Sequence, residues 1–338
     1  MKQFNICVLA GDGIGKEVTD WGVKALETAG KYHELAFNFH HELLGHAAIQ
    51  ATGTPLPDAT LERCKASDAV LLGAIGDPYY DLNPHLKVRP EQGLLALRKG
   101  LGLFANIRPI LLFDELLDAS SLKREVIQGT DILFFRELTG GIYFGEPRGR
   151  KLNGTVAYDT KVYAKYEVDR IARMAFEAAA SRKKILHSVD KANVLESSRL
   201  WREIVQDLTP EYPDVRVVHM YVDNAAMQLI KNPKQFDVVL TGNMFGDILT
   251  DEASQIAGSL GMLASASIGN EVGLYEPIHG SAPDIAGQNV ANPLATILST
   301  ALMCNRGLNA PLAGQLIIDS VDAVLKSGYR TKDIMDQN

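Results

Sequence analysis

The sequence predicts an α/β protein with a largely parallel sheet. Two observations carry that expectation: short apolar runs of strand length alternate with longer stretches of helical periodicity, and no internal repeat or low-complexity tract interrupts the alternation. FNICVLAG (residues 4–11) reads as the first strand and leads into a glycine-rich turn. AVLLGAIG (69–76), DILFFREL (131–138), ILHSVDK (185–191), VRVVHMYVD (215–223) and FDVVLTGN (236–243) read as further buried or half-buried strands. The clearest helix is KYEVDRIARMAFEAAASRK, where Val168, Ile171, Ala175 and Ala178 recur at three- and four-residue spacing. PRGRKLNGTVAYDTKVY (147–163) is polar and weakly periodic; composition alone slightly favours a surface loop over a projecting arm.

A length of 338 residues suits about two domains. The net charge of −7 argues against nucleic acid or an anionic membrane as partner. No apolar stretch approaches a membrane span, and MKQFNICVLAGDG reads as a strand and not as a signal peptide. Cys7, Cys64 and Cys304 are odd in number, widely spaced and outside any CxxC pattern, which suits a reducing cytoplasm and packing roles.

The most informative stretch is TGNMFGDILTD (241–251), which follows the apolar run FDVVL. Asp247 and Asp251, four apart, share one face of a helix and offer oxygen ligands to a hard divalent cation. Acids opening a helix usually just complement its macrodipole, and the pair alone favours that ordinary reading. Asp223 in YVDNAAM and several arginine-bearing segments reverse the preference. Arg98, Arg108 and Arg136, read together, could hold a small polycarboxylate through bidentate forks, although a single arginine is usually a surface or salt-bridge residue. Tyr143 follows two glycines in RELTGGIYFG. Lys191, beside Asp190 in SVDKANVL, is a proton-transfer candidate if burial lowers its pKa; otherwise it is a surface lysine.

Two glycine-bearing segments invite a nucleotide. AGDGIGKEV reads GxGxG and matches neither a Rossmann fingerprint nor a Walker A loop, so it is a tight strand-to-helix turn. EPIHGSAPDIAG (276–287) is the better cofactor candidate: its small residues allow close approach, and Asp284 could accept from a ribose diol and repel a 2′-phosphate. In isolation it is an ordinary proline-glycine loop.

As a set and in this order, LAGDGIGKEV, RPEQGLLALR, RELTGGIYFGEPRG, SVDKANVL, GNMFGDILTDE and HGSAPDIAG resemble the β-decarboxylating 2-hydroxyacid dehydrogenases, the isocitrate/isopropylmalate dehydrogenase family. The resemblance runs from near the start to GYRTKDI, nearly the whole chain. It implies a two-domain fold with a large mixed, mostly parallel sheet and an intersubunit arm at 147–163. The first, cofactor-side domain would comprise 1–103 plus 258–338, and 104–257 would carry the dimer contacts. It implies a cytoplasmic homodimer with shared active sites and oxidative decarboxylation of 3-isopropylmalate to 4-methyl-2-oxopentanoate, in leucine biosynthesis. NAD would serve as oxidant and Mg²⁺ or Mn²⁺ as metal.

The family's roles carry over residue by residue. Asp247 and Asp251, with Asp223 from a second subunit, would hold the metal, Asp223 also touching substrate. Lys191, also from the second subunit, and Tyr143 would be catalytic, and Arg98, Arg108 and Arg136 would clamp carboxylates. His279, Gly280, Ser281, Ala282, Pro283, Asp284, Ile285 and Asn292 would bind the cofactor. Isocitrate-type relatives place a serine and an asparagine where this chain has the apolar Leu94 and Leu95, which suit an isopropyl group; Glu91 resembles the acid near substrate and nicotinamide. NADP-dependent relatives carry Lys-Tyr in place of Asp284-Ile285, so the aspartate implies NAD. Malate, tartrate or homoisocitrate as substrate, and a non-catalytic cofactor-binding relative, are the alternatives. The family's pattern continues past GYRTKDI with a glycine-containing turn and a last helix, where this sequence reads DIMDQN; the departure bears on first-domain packing and touches no proposed site residue.

Overall fold

A computed structural model describes residues 2–83 and 85–335. Its strands are β1 Lys2–Gly11, β2 Leu35–Glu42, β3 Ala69–Ala74, β4 Ala105–Ile110, β5 Ile132–Glu137, β6 Gly149–Lys151, β7 Val156–Tyr158, β8 Ile185–Asp190, β9 Arg216–Tyr221, β10 Val238–Thr241, β11 Ala264–Ile268 and β12 Gly273–Pro277. The chain divides into two compact units, Met1–Leu103 with Ala257–Asn338, and Phe104–Ile256.

In the first unit the strand order is β2-β1-β3-β12-β11, with only the β11–β12 pair antiparallel. Both faces are covered, as a parallel sheet requires. Alternate residues of β1 and β3 feed two cores. Phe4, Ile6, Val8, Ala69 and Leu71 pack with Leu26 and Ala29 of helix Gly15–His33 and Ile317 of helix Pro311–Lys326. Cys7, Leu9, Val70 and Leu72 face the other way, onto Cys64 and onto Leu97 of helix Pro90–Gly100. That helix starts where the sequence marks it: Pro90 occupies the first turn, and the Gln92 side chain accepts from the Arg89 N–H at 3.0 Å. All three cysteines are buried thiols.

In the second unit the order is β4-β5-β10-β8-β9, with only β4–β5 antiparallel. Helix Lys165–Ala180 buries Val168, Ile171, Ala172, Ala175, Phe176 and Ala179, and Ala178 is half-buried. Most of the polar 147–163 segment is a short exposed ribbon, β6 pairing antiparallel with β7, and only its last residue, Tyr163, is buried. Strand β9 ends at Tyr221, two residues before the end of the apolar run, so Asp223 lies in the first turn of helix Val222–Lys231. Among the described residues no helix is long and apolar enough to cross a membrane.

His187, in the middle of β8, is 2% exposed and packs against Phe236 with ring centroids 4.7 Å apart and the rings tilted by 58°. Burial, helped by the nearby Arg216 charge, holds its pKa down to about 4 from the ordinary 6.5, against a smaller opposing effect of Asp237. The unfolded chain then binds the extra proton first as pH falls. Stability from the neutral imidazole is complete above about pH 6.5 and declines through that point until about pH 4. His187→Leu is expected to flatten this limb of the unfolding free energy by on the order of 3 kcal/mol, measured by urea denaturation across that range; an unchanged slope would refute it.

Candidate active site

Parallel pairing sets the site. β5 and β10 are neighbours with Arg136 in register with Thr241. Past Thr241 the extended Gly242 turns the chain directly into helix Asn243–Ser254, which brings Arg136 to the base of that helix. On the other side of β5, the antiparallel β4 sets Asn106 opposite Arg136, with Arg108 two residues further along the same face. Both arginines, 4% and 6% exposed, therefore point at the helix that carries the aspartates.

The partners follow from that geometry. Arg136 Nη1 donates to Asp247 Oδ1, and Tyr143 Oη donates to Asp247 Oδ2 at 2.8 Å. Arg108 Nη2 lies 3.8 Å from Asp247 Oδ1, and its Nη1 lies 3.7 Å from Asp251 Oδ1. Arg108 Nε donates to Asn106 Oδ1 and its Nη1 to Thr250 Oγ1, both at 2.5 Å. Burial first, then the hydrogen bond and charge of Asp247, raise the Tyr143 pKa, so the phenol remains a proton donor. Asp251 is raised chiefly by burial and further by Asp247, with Arg108 opposing. The helix's first turn contains no acid. The macrodipole reading of this pair thus fails, because that effect is confined to the first turn.

Two carboxylates one turn apart on a helix face are a donor set suited to a hard cation. The third aspartate does not join them within one chain: among the described residues no group of three or more His, Cys, Asp or Glu could hold a metal ion. Asp223 instead accepts from Lys191 Nζ at 2.8 Å, and that bond is the main cause of its lowered pKa. Asp190, adjacent to Lys191 in sequence, is not the lysine's partner. It is buried and gripped by Arg202 through Nε at 2.9 Å and Nη2 at 2.8 Å.

The sequence grouped three arginines; the second unit gathers Arg108 and Arg136. Arg98 belongs to the first unit, where its Nη2 donates to the buried Glu276 at 2.7 Å. On the same helix Leu94 is half-buried against the core, whereas Leu95 and Glu91 are exposed. Glu276, Asn106, Thr250 and Asn243 carried no local signal, since each acts across a long sequence separation or through a neighbour placed by the sheet.

The cofactor candidate also lies in the first unit. Between β12 and helix Leu294–Leu302 the loop borders a cavity of about 440 Å³ lined by Ile14, Gly261, His279, Ile285, Val290, Ala291, Asn292, Lys332 and Asp333. Its size and apolar walls suit a planar heterocycle. His279 Nδ1 is 2.9 Å from the Gly280 carbonyl, whereas its Nε2 is buried with no hydrogen-bond partner, a polar atom a ligand would satisfy. Burial lowers the His279 pKa, favouring the neutral ring. Asn292, 7% exposed, is held at the loop's end: it donates to Asp333 of the turn Lys332–Ile334 at 3.0 Å and accepts from the N–H of Leu294, the first residue of the next helix. Asp284 and Pro283 are exposed, and Ala282 sits at a φ of 35°, unusual for a residue with a side chain.

The glycine-rich turn supports this loop. Ile14 N–H donates to the Ser281 carbonyl at 2.8 Å, and Glu17 accepts from the Gly287 N–H. Gly13 has a φ of 54°, and a Cβ there would fall 2.0 Å from the Ser281 oxygen. The turn is glycine because the loop's backbone occupies the space.

The sequence matches the model of the isocitrate/isopropylmalate dehydrogenase family over residues 5–338. A curated relative from Wolinella succinogenes, named 3-isopropylmalate dehydrogenase, is 55% identical over 99% of this chain and 92% of its own length. One of the same name from Gloeobacter violaceus is 56% identical over 98% and 92%. Among solved structures, isocitrate dehydrogenase from Methylococcus capsulatus superposes with a TM-score of 0.88 at 33% identity, covering 100% of this chain and 95% of that one.

Gly246, one turn into the aspartate helix, tests the packing around Arg136. A Cβ there would lie 2.7 Å from Arg136 Cγ and 2.3 Å from Thr241 Oγ1. Gly246→Ala is expected to cost about 1–3 kcal/mol, the usual toll of overpacking, read from the urea midpoint; an unchanged midpoint would mean that Arg136 moves aside freely.

Proposed function

This chain belongs to the isocitrate/isopropylmalate dehydrogenase family, and from that premise we propose that it catalyses NAD-dependent oxidative decarboxylation of 3-isopropylmalate to 4-methyl-2-oxopentanoate, a step of leucine biosynthesis. The enzyme class, a β-decarboxylating dehydrogenase, follows from the family. The observation that carries the reading is the convergence of Arg108, Arg136 and Tyr143 on Asp247 and Asp251.

In this reading Arg108 and Arg136 bind the substrate's carboxylates as bidentate forks and hold them in a reactive pose, and Arg98 keeps the carboxylate-binding role that the family resemblance implies for it. Asp247 and Asp251, with Asp223 of a second copy, would hold Mg²⁺ or Mn²⁺. When bound, the cation supplies Lewis acidity at the C2 oxygen and NAD supplies the hydride acceptor. Lys191, from the same second copy as its hydrogen-bond partner Asp223, would receive the C2 hydroxyl proton through water on its free amine nitrogen. With the hydride acceptor bound, loss of the C2 hydride would leave a ketone from which the C3 carboxylate, held by the arginines, would depart as carbon dioxide. Tyr143 then returns a proton to C3 of the resulting enolate, for which its raised pKa keeps the phenol protonated.

The His279–Ile285 loop and its cavity would take the adenosine end, with Asp284 on the ribose. Leu94 and Leu95 would meet the isopropyl arm, whose burial is worth roughly 1.5–3 kcal/mol; a charged arm would be desolvated there without a partner. A cytoplasmic homodimer completes the reading. It is supported by the exposed ribbon of β6 and β7 and by exposed apolar side chains on the second unit: Val194 at 61%, Met227 at 61% and Ile248 at 59%.

The test is NADH formation with 3-isopropylmalate, Mg²⁺ and NAD, run beside malate, tartrate and isocitrate and with a chelator. Strong, chelator-sensitive turnover of 3-isopropylmalate is expected, and preference for another diacid would overturn the substrate while keeping the class. Asp247→Asn is expected to lower kcat at least a hundredfold. Replacing Asp284 by Lys and Ile285 by Tyr together is expected to move kcat/KM at least tenfold towards NADP; an unchanged ratio would remove the ribose role from Asp284.

A further inference from the structure

Asn243 is the first residue of the aspartate helix and is 2% exposed. Its Oδ1 accepts from Arg136 Nε at 3.1 Å and from Arg136 Nη2 at 2.9 Å. Its Nδ2 donates to the carbonyls of Leu138 at 3.1 Å and Gly140 at 3.3 Å. Two acceptor sites and two donors are all engaged, so the amide has one orientation: flipped, it would set N–H against guanidinium and oxygen against two carbonyls.

The backbone of Asn243 is fixed as well. Its N–H donates to Tyr163 Oη at 2.7 Å. The Tyr163 side chain lies where the sequence has glycines. A Cβ on Gly140 would fall 2.7 Å from the ring, one on Gly141 2.8 Å from the hydroxyl, and one on Gly242 3.0 Å from the hydroxyl. Three glycines leave room for one tyrosine, and that tyrosine anchors the residue that orients Arg136.

We propose that Asn243 is a positioning residue for the carboxylate clamp, a neutral oxygen that fixes the Arg136 guanidinium along its Nε–Nη2 edge while leaving its positive charge undiminished for Asp247 and an incoming carboxylate. The proposal rests on the dehydrogenase reading for its substrate. Its physical content is the choice of acceptor. A carboxylate in the same place would orient the guanidinium equally well but would neutralise it. An alanine would remove the orientation and leave buried donors without their acceptor.

Asn243→Asp and Asn243→Ala in the full-length enzyme separate the two effects. Asn243→Asp is expected to raise KM for 3-isopropylmalate at least tenfold, with the larger share of the loss in KM and with KM for NAD within about twofold. Asn243→Ala is expected to lower kcat/KM at least a hundredfold, through both constants. A merely structural role predicts instead parallel loss in both variants, including KM for NAD, in step with a lowered melting temperature; that pattern, or an unchanged KM in Asn243→Asp, overturns the proposal. The Arg136 Nε–H resonance, identified by its loss in Arg136→Lys, gives a readout independent of substrate. It is expected to be protected from water exchange in the wild type and exposed in Asn243→Ala. If the wild type turns over no 3-isopropylmalate but this difference holds, the functional reading fails and the positioning role stands. Equal protection in both proteins ends the proposal whatever the activity.

Discussion

Two arginines buried to within a few per cent of completely need their charge answered by groups packed around them. Removing one partner of a buried ion pair typically costs 3–5 kcal/mol, because the remaining charge is stranded. The second unit meets this demand from one helix. Asp247 serves Arg136 and lies near Arg108, while Asp251 lies near Arg108. The four groups sum to no net charge. A dicarboxylate alone would add two negative charges to that balance and a divalent cation alone two positive ones, whereas together they add none. On the proposed reading, the same electrostatics that stabilise the resting site favour substrate and cation arriving as a pair.

Neutral acceptors refine this arrangement. Asn106 and Thr250 take donors from Arg108, and Asn243 takes two from Arg136, in each case without contributing charge. The donors are satisfied and the guanidinium planes fixed, while the electrostatic ledger stays with the aspartates. The first unit solves a different problem, holding a long loop with little regular structure. There the backbone does the work: Ile14 N–H and Glu17 grip the loop at Ser281 and Gly287, and Gly13 lets the two segments approach.

Much of the fold was legible because parallel strands buried on both faces are continuous apolar runs. β3, β5, β8 and β10 fall within runs read from the sequence, as does the edge strand β9, while β1 begins at Lys2, two residues ahead of its run. The strands that escaped lack that signature for physical reasons. β2, LAFNFHHE, is an edge strand with a single partner and tolerates polar and half-exposed positions. β4 carries Arg108 and Pro109 in the middle of ANIRPI, and β11 is the small-residue run ASASI. In the site, Asp247, Asp251, Arg108, Arg136 and Tyr143 were visible by residue type and motif. Asn243 was not, because its meaning lies in hydrogen bonds to a residue 107 positions away. Resemblance named the charged groups; only the packed structure says what holds them still.

The aspartate pair illustrates why position on a helix matters as much as residue type. Like charges four apart cost an isolated helix a few tenths of a kcal/mol, and acids in a first turn recover that through the macrodipole. Here the acids begin one turn later, beyond that compensation. Burial and the neighbouring Asp247 charge raise the Asp251 pKa even with Arg108 nearby. A helix selected for its own stability has no reason to bear this arrangement. It becomes intelligible when the helix is read as one wall of a charged site, whose start is fixed by Gly242 and Asn243 so that its second and third turns meet Arg136 and Arg108. The local cost in the helix is then the consequence of aiming two oxygens at one place.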